Sequence, residues 1–528
     1  MRSRIGLAAI CAALSTVPLA AQTTPRSVVQ ERLDLSALQR IREEGLTRSR
    51  VDSLAHQMMD VIGPRLTGST NMRRAQDWAS STFRSWGLAN VTVEPWDSLF
   101  GRGWDRGTYE GHWLEPYVQP LYAMPLAWSG STHAPAPARG RAPTAAGAVT
   151  CPVQVADLSD STAFARYNGQ LRGACVLVLR QPLRDIPPEW NPPPRRFDAD
   201  TLIARSAQPL PSAPPQGPQQ QFRSFQAMAQ RFASWIGEQG VVAVLQPSQW
   251  TYGLILGSAG PQARQARDSV NFEPLPALVV SHEQAGQMVR DIRQGVPVRL
   301  ELNVQNTFTN PDRREYNVLA EIPGTDLASQ VVMVGAHFDS WYGGTGATDN
   351  GAGSVVMMEA MRILKTLGLP MRRTIRIGLW SGEEQGLLGS RAWVRAHRAD
   401  LAAISAYLNV DNGTGRLRGV YAQSNPAVIP IFEQILSPFR DLGIVAMLPG
   451  NTGGTDHLSF DAGGVPGFQF VQDPIEYDTR THHSQVDTYE RLVMDDLRQA
   501  ATIVAWTVYT IANRDDMLPR KAAPVQSN

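Results

Sequence analysis

From residue 315 onward the chain alternates strand-like and helix-like segments, and its chemistry-bearing residues fall where the strands end. EYNVLAEI and VVMVGAHFD read as strands and GSVVMMEAMRILKTLG as an amphipathic helix. TIRIGLWS reads as a buried strand, GLLGSRAWVRAH as a helix and ISAYLNVD as a further strand. This alternation predicts an α/β fold with a mostly parallel, twisted sheet covered by helices on both faces. In such sheets functional groups gather at the carboxyl ends of the strands. His337 ends one run, Glu383 and Glu384 follow another, and Asp411 ends a third.

Potential metal ligands come in the order His337, Asp349, Glu384, Asp411 and His483, within GAHFDSW, GATDNGAG, SGEEQGLLGS, LNVDNGTG and THHSQVD. That is too many donors for one tetrahedral zinc. They suit two divalent cations that share one carboxylate, each with one His and one terminal carboxylate. Asp349 is the natural bridge, because its glycine-rich loop lets the backbone approach closely. A water then fits between the cations, with Glu383 beside it as general base. His337 and Asp339 point the same way along a strand. The Asp339 carboxylate is therefore expected to accept a hydrogen bond from the other nitrogen of His337. Asp487, just beyond His483, is expected to orient that His in the same way. His56, His112, His133, His282 and His397 lack a partner pattern and read as surface or structural. His457, in GGTDHLSF, stays open as part of a loop beside the site. The sequence has no G-x-S-x-G elbow, no H-E-x-x-H and no phosphate-binding P-loop, which disfavours the chemistries built on them.

A chain of 528 residues exceeds one ordinary core, so two or three domains are expected. The formal net charge of +1, with no long run of one sign, gives no sign of a nucleic-acid or anionic-membrane partner. MRSR followed by IGLAAICAALSTVPLA and Ala20-Ala21 has the layout of a secretory signal peptide over 1–21. The mature protein is then exported, periplasmic or extracellular, with no remaining membrane span. Cys151 and Cys175 remain after cleavage. They fit one disulfide or two buried thiols equally.

Residues 27–130 read as an N-terminal part of the main domain, helical over 27–62. GPRLTGS follows as a turn, then a helix over about 70–85 and the strand VTVEPW. Residues 101–150 resist assignment. A smaller α/β domain is inserted over 131–306, with ACVLVLR, VVAVLQ and ALVVS as its strands. Its Pro- and Gln-rich stretch, 184–221, reads as a surface loop. Residues 307–515 carry the candidate ligands, and 516–528 read as a loose tail.

GAHFDSWYGGTGATDNGAGS, LKTLGLPMRRTIRIGLWSGEEQGLLGS and HHSQVDT resemble the co-catalytic zinc exopeptidases, metallopeptidase family twenty-eight. They look most like its plasma glutamate carboxypeptidase (carboxypeptidase Q) branch, as do GPRLTGS and GLANVTVEPW. The likeness runs over about 30–515. It implies a zinc-exopeptidase fold of the phosphorylase/hydrolase-like type with an inserted protease-associated domain. It implies two Zn2+ held by His337, Asp349, Glu384, Asp411 and His483, with Glu383 as base. It selects His483 over His482, because the family's ligand directly precedes Ser or Thr. Some relatives have a Tyr where this chain has His482, which makes His482 the candidate oxyanion helper. The implied reaction is hydrolysis of dipeptides or short peptides by metal-bound hydroxide, of dipeptidase, carboxypeptidase or aminopeptidase type. A homodimer is allowed. Glutaminyl cyclases share the fold and a GATD loop, and a non-catalytic receptor-like ectodomain is the other alternative. The N-G-A-G continuation and the full ligand set argue against these two.

Overall fold

The computed structural model describes residues 30–133, 147–158, 162–181, 183, 192–209 and 218–521. The signal-peptide expectation over 1–21 lies outside them. In chain order the strands are β1 (Ala89–Pro95), β2 (Gly103–Glu115), β3 (Gln119–Pro120), β4 (Ala123–Pro125), β5 (Val149–Asp157), β6 (Cys175–Leu179), β7 (Ala243–Pro247) and β8 (Ala277–Val280). They continue with β9 (Arg299–Thr309), β10 (Tyr316–Ile322), β11 (Leu327–His337), β12 (Arg373–Trp380), β13 (Ile404–Asn409), β14 (Leu417–Tyr421), β15 (Ala446–Leu448) and β16 (Gly467–Gln472).

The first sheet has the order β1-β10-β12-β11-β13-β16-β14-β15. Its centre, β12-β11-β13-β16, is parallel. Direction reverses at β10 on one flank and at β14 on the other. Alternate residues of β11 serve opposite faces, as strand periodicity requires. Val332, Val334 and Ala336 enter one core with the helices Ala352–Leu367 and Met494–Asn513. Val331 and Met333 enter another with Trp380, Trp393, Tyr407 and Phe460. Both faces are thus covered, and each fully buried aliphatic side chain contributes roughly 1.5–3 kcal/mol.

The second sheet has the order β3-β2-β9-β5-β6-β7-β8-β4. It begins at Gly103, ahead of the boundary at 131 that composition suggests. The long β2–β9 pair closes it, running from Gly103↔Thr309 to Glu115↔Arg299. The expected helix over 27–62 is broken. Leu35–Thr47 ends at Arg48, and Val51–His56 continues into a wider turn over Gln57–Ile62.

The stretch expected as a surface loop contains a docked helix, Ala199–Ser206, capped by the Asp198 carboxylate. Its fully buried Leu202 packs with Ala446, Leu448 and Val471 of the first sheet. Arg196 just before it reaches Asp473 and Asp496 at 3.1 and 2.5 Å. The expected loose tail is anchored as far as Lys521. Leu518 is buried, Arg520 donates to the carbonyls of Leu401, Ala402 and Ile404, and Lys521 pairs with Asp461. Among the described residues no helix is long and apolar enough to cross a membrane.

Cys151 and Cys175 form a disulfide between the neighbouring strands β5 and β6, at a sequence separation of 24. This resolves the alternative the sequence left open. The crosslink restricts the unfolded chain. Replacing both cysteines with Ser should lower the unfolding free energy by about 3 kcal/mol, measured by urea denaturation. An unchanged midpoint would show that the bridge carries no stability.

Candidate active site

The central parallel strands bring the candidate residues to one edge. β11 ends on His337, directly opposite Trp380 at the end of β12. Glu383 and Glu384 follow β12 after Gly382, whose φ of +71° turns the chain there. A Cβ on Gly382 would lie 2.4 Å from the Trp96 ring, so only glycine fits. Asp411 lies just past β13. Asp349 lies in the turn Ala347–Gly351 before the helix Ala352–Leu367. The segment after β16 delivers His482 and His483. His483 has a φ of +61°, a conformation that costs a non-glycine residue about 1–3 kcal/mol. Its carbonyl accepts from Gly257 N at 2.6 Å, so a loop after β7 helps hold that backbone.

Asp349 stands at the centre. Its Oδ1 is 3.4 Å from His337 Nε2, and Asp411 Oδ1 is 3.3 Å from the same nitrogen. Its Oδ2 is 3.3 Å from His483 Nε2, which is 3.0 Å from Glu384 Oε2. One carboxylate thus faces two His–carboxylate pairs, one with each oxygen. His482 stacks on His483 with ring centres 3.8 Å apart, and its Nε2 is 3.8 Å from Asp349 Oδ2. The ligand atoms of His337, Asp349 and Asp411 lie within 4.8 Å of one another, and so do those of Asp349, His482 and His483. His482 therefore competes with Glu384 on geometry alone. Glu384 is the better candidate, with a side chain 2% exposed against 42% for His482.

The electrostatics are strained. Burial, then the Asp349 charge, hold Glu384 well above the usual carboxylate range. Burial, with Asp411, Asp456 and Glu384 nearby, does the same to Glu383. Burial opposes charge on His337, but Asp411, Glu383, Asp339 and Asp349 outweigh it and raise its pKa well above the ordinary value. Burial would raise Asp349 too, yet His337, His483 and His482 hold it low. Among the described residues, His337 Nε2, Asp349 Oδ2, Glu384 Oε1 and Asp411 Oδ1 are buried with no hydrogen-bond partner. Such atoms normally find one. Imidazole nitrogens and carboxylate oxygens are the donor set of a zinc site, so the residues present fit divalent cations.

The surrounding contacts differ from two expectations. His337 Nδ1 donates to the Asp339 backbone carbonyl at 3.0 Å, while the Asp339 carboxylate stands 3.6 Å away. That carboxylate accepts instead from Thr67 Oγ1 and from the amides of Glu383 and Glu384, at 2.9, 3.2 and 3.3 Å. It therefore positions the Glu–Glu turn. Asp487 does not orient His483. It accepts from the amides of Thr348 and Asp349 at 2.7 and 3.1 Å, because the intervening chain forms turns rather than a helix.

Sequence reasoning missed further groups. Tyr477 donates from its hydroxyl to Asp349 Oδ1 at 2.9 Å. Asp456 is fully buried, and that burial pushes its pKa up to about 7. Arg65 and Thr67 lie in GPRLTGS, which reads only as a turn. His457 faces the Thr452 carbonyl at 3.2 Å. His56, His112 and His133 pair with carboxylates outside the cluster.

An α/β sheet whose parallel strands end in imidazoles and carboxylates defines a hydrolase of the metallopeptidase class. Residues 317–508 match the model of Peptidase family M28. Carboxypeptidase Q of Homo sapiens is 27% identical over 463 residues, 88% of this chain and 85% of that one. A Peptidase M28 precursor from Shewanella amazonensis superposes with a TM-score of 0.66 at 23% identity, covering 92% of this chain and 99% of the other. BSAP, a zinc aminopeptidase from Bacillus subtilis, gives 0.56 at 18% identity, over 88% and 95%. The last two likenesses speak to the fold.

Asp487→Ala leaves the Thr348 and Asp349 amides without their acceptor. A loss of roughly 1–3 kcal/mol per buried amide is expected, read from the denaturation midpoint. A variant as stable as the parent would show that Asp487 does not hold the Asp349 turn.

Proposed function

We propose that the chain is an exported dizinc exopeptidase acting on dipeptides or short peptides. The observation that carries this reading is the division of Asp349 between His337 and His483 at 3.4 and 3.3 Å. His337, Asp411 and Asp349 Oδ1 would hold one zinc. His483, Glu384 and Asp349 Oδ2 would hold the other. Zinc, when bound, supplies Lewis acidity toward a peptide carbonyl and toward water. Glu383 takes the proton of the attacking water and returns it to the leaving amine. Its partly buried position beside Glu384 supports that role, since Asp339 fixes both amides. His482, more exposed and stacked on His483, is placed to donate toward the developing oxyanion. The second-sheet block, Gly103–Thr309, acts as a protease-associated domain. Export is supported by the disulfide, which belongs to oxidising compartments.

Metal analysis of the mature protein should find two zinc ions per chain, and chelation should abolish hydrolysis in a panel of dipeptides and aminoacyl amides. The panel also decides which chain end is cleaved. One ion at saturation, with full activity, would overturn the two-metal reading.

Glu383→Gln keeps shape but cannot take a proton. It should slow turnover by about 10²–10⁴-fold at full metal occupancy. Glu384→Gln should instead lower occupancy. Near-normal turnover of Glu383→Gln would remove that residue as the base.

A further inference from the structure

Arg65 is fully buried, and among the described residues its guanidinium hydrogen-bonds to no carboxylate, while Asp487, Asp339 and Asp349 act on its charge from longer range. All its contacts are backbone carbonyls: Nε to Phe338 O at 2.8 Å, Nη1 to Gly63 O at 3.1 Å and Thr345 O at 2.8 Å, and Nη2 to Gly346 O at 2.9 Å. Two of those carbonyls come at the end of the 338–346 loop, and Phe338 comes at its start. That loop joins His337 to the Asp349 turn. The main chain adds an exchange, with Arg65 N donating to Ser340 Oγ and Ser340 N to Arg65 O, both at 3.1 Å. Packing is tight enough that a Cβ on Gly346 (φ +62°) would lie 2.2 Å from Ser340 Cβ and 3.1 Å from Arg65 Nη2. Two residues on, Thr67 donates to Asp339, whose carboxylate holds the Glu383 and Glu384 amides.

A buried arginine whose hydrogen bonds all go to neutral acceptors gains no direct ion pair to offset the desolvation of its charge, and longer-range attraction to nearby carboxylates offsets only part of it. Its rigid fork can however fix several carbonyls in one plane, which a lysine cannot do. From this geometry we infer that Arg65, assisted by Thr67, is a positioning residue for the metal cluster. It sets the separation of His337 from Asp349, and through Asp339 the placement of the Glu383–Glu384 turn. The inference rests on the metal reading proposed above and names residues outside the proposed ligand set.

Arg373 provides a control of the same chemistry. It is 1% exposed and donates to Gln330 Oε1 and to the carbonyls of Arg514 and Asp515. It begins β12, at the strand end remote from Glu383. Arg65→Lys and Arg373→Lys are compared in the full chain. The readouts are thermal midpoint and Co2+ affinity, the latter from the visible absorption of the bound ion. Both variants should melt earlier. Only Arg65→Lys should weaken Co2+ binding, by about 10–100-fold, the range for groups that orient metal ligands. Its cobalt spectrum should change, and that of Arg373→Lys should match the parent. Equal Co2+ affinity and identical spectra in both variants would overturn the role of Arg65 and leave the metal site standing. Equal weakening in both would also overturn it, as a general stability effect. If Arg65→Lys does not fold, Thr67→Val removes one hydrogen bond at constant shape. Unaltered Co2+ affinity there would overturn the inference. A parent protein that binds no Co2+ or Zn2+ would overturn the metal reading itself and this inference with it.

Discussion

Acidic groups crowded into one corner of the first sheet are the constraint around which the rest is arranged. Asp339, Asp349, Asp411, Asp456 and Asp487 are all buried there, beside Glu384. In a medium of low dielectric, neighbouring like charges repel by several kcal/mol per pair. The fold answers in three ways. It points imidazole nitrogens at Asp349, aims the amides of residues 348, 349, 383 and 384 at Asp487 and Asp339, and sets the Arg65 cation beneath the loop. The proposed zinc ions complete the counter-charge and would reverse the upward shifts at Glu383 and Glu384.

A parallel sheet suits this task because it presents the ends of separate strands together. The rigid strands fix His337, and the short turns after β12 and β13 fix Glu384 and Asp411. His483 is held differently. It sits on a turn well past the end of β16 in sequence, in a left-handed conformation, and accepts a backbone hydrogen bond from Gly257 of the second sheet's loops. The pairing continues as Gln485 exchanges hydrogen bonds with Gly253 and Ile255. Both sheets therefore contribute to one site.

The α/β alternation and the strand-end residues were legible because side-chain period and strand termini are local properties of sequence. His337, Asp349, Glu384, Asp411 and His483 do come together in space. Their supporting contacts were not legible. Arg65 bonds carbonyls, which every residue has, so no residue type announces the contact. Asp487 was misread because nearness in sequence to His483 does not fix where a side chain points, and the turns there aim it at the Thr348 and Asp349 amides instead. Strands β2 to β4 were hidden in a stretch rich in Gly, Pro and Trp. Leu202 was hidden in a Pro-rich one, where a capped helix finds its core on the other sheet.

The β2–β9 ladder has a consequence for how the chain assembles. β1 and β10 are partners in the first sheet, yet the whole second sheet is threaded between them. Because Gly103 pairs with Thr309, the second sheet enters and leaves through adjacent strands. Once that ladder zips, β1 and β10 are tethered only by residues 96–102 and 310–315. Loop closure then costs about 2 kcal/mol less than for the same segment as an open coil. The threaded sheet thus behaves entropically as a tight connection, and early closure of β2 on β9 would hasten the first sheet's completion.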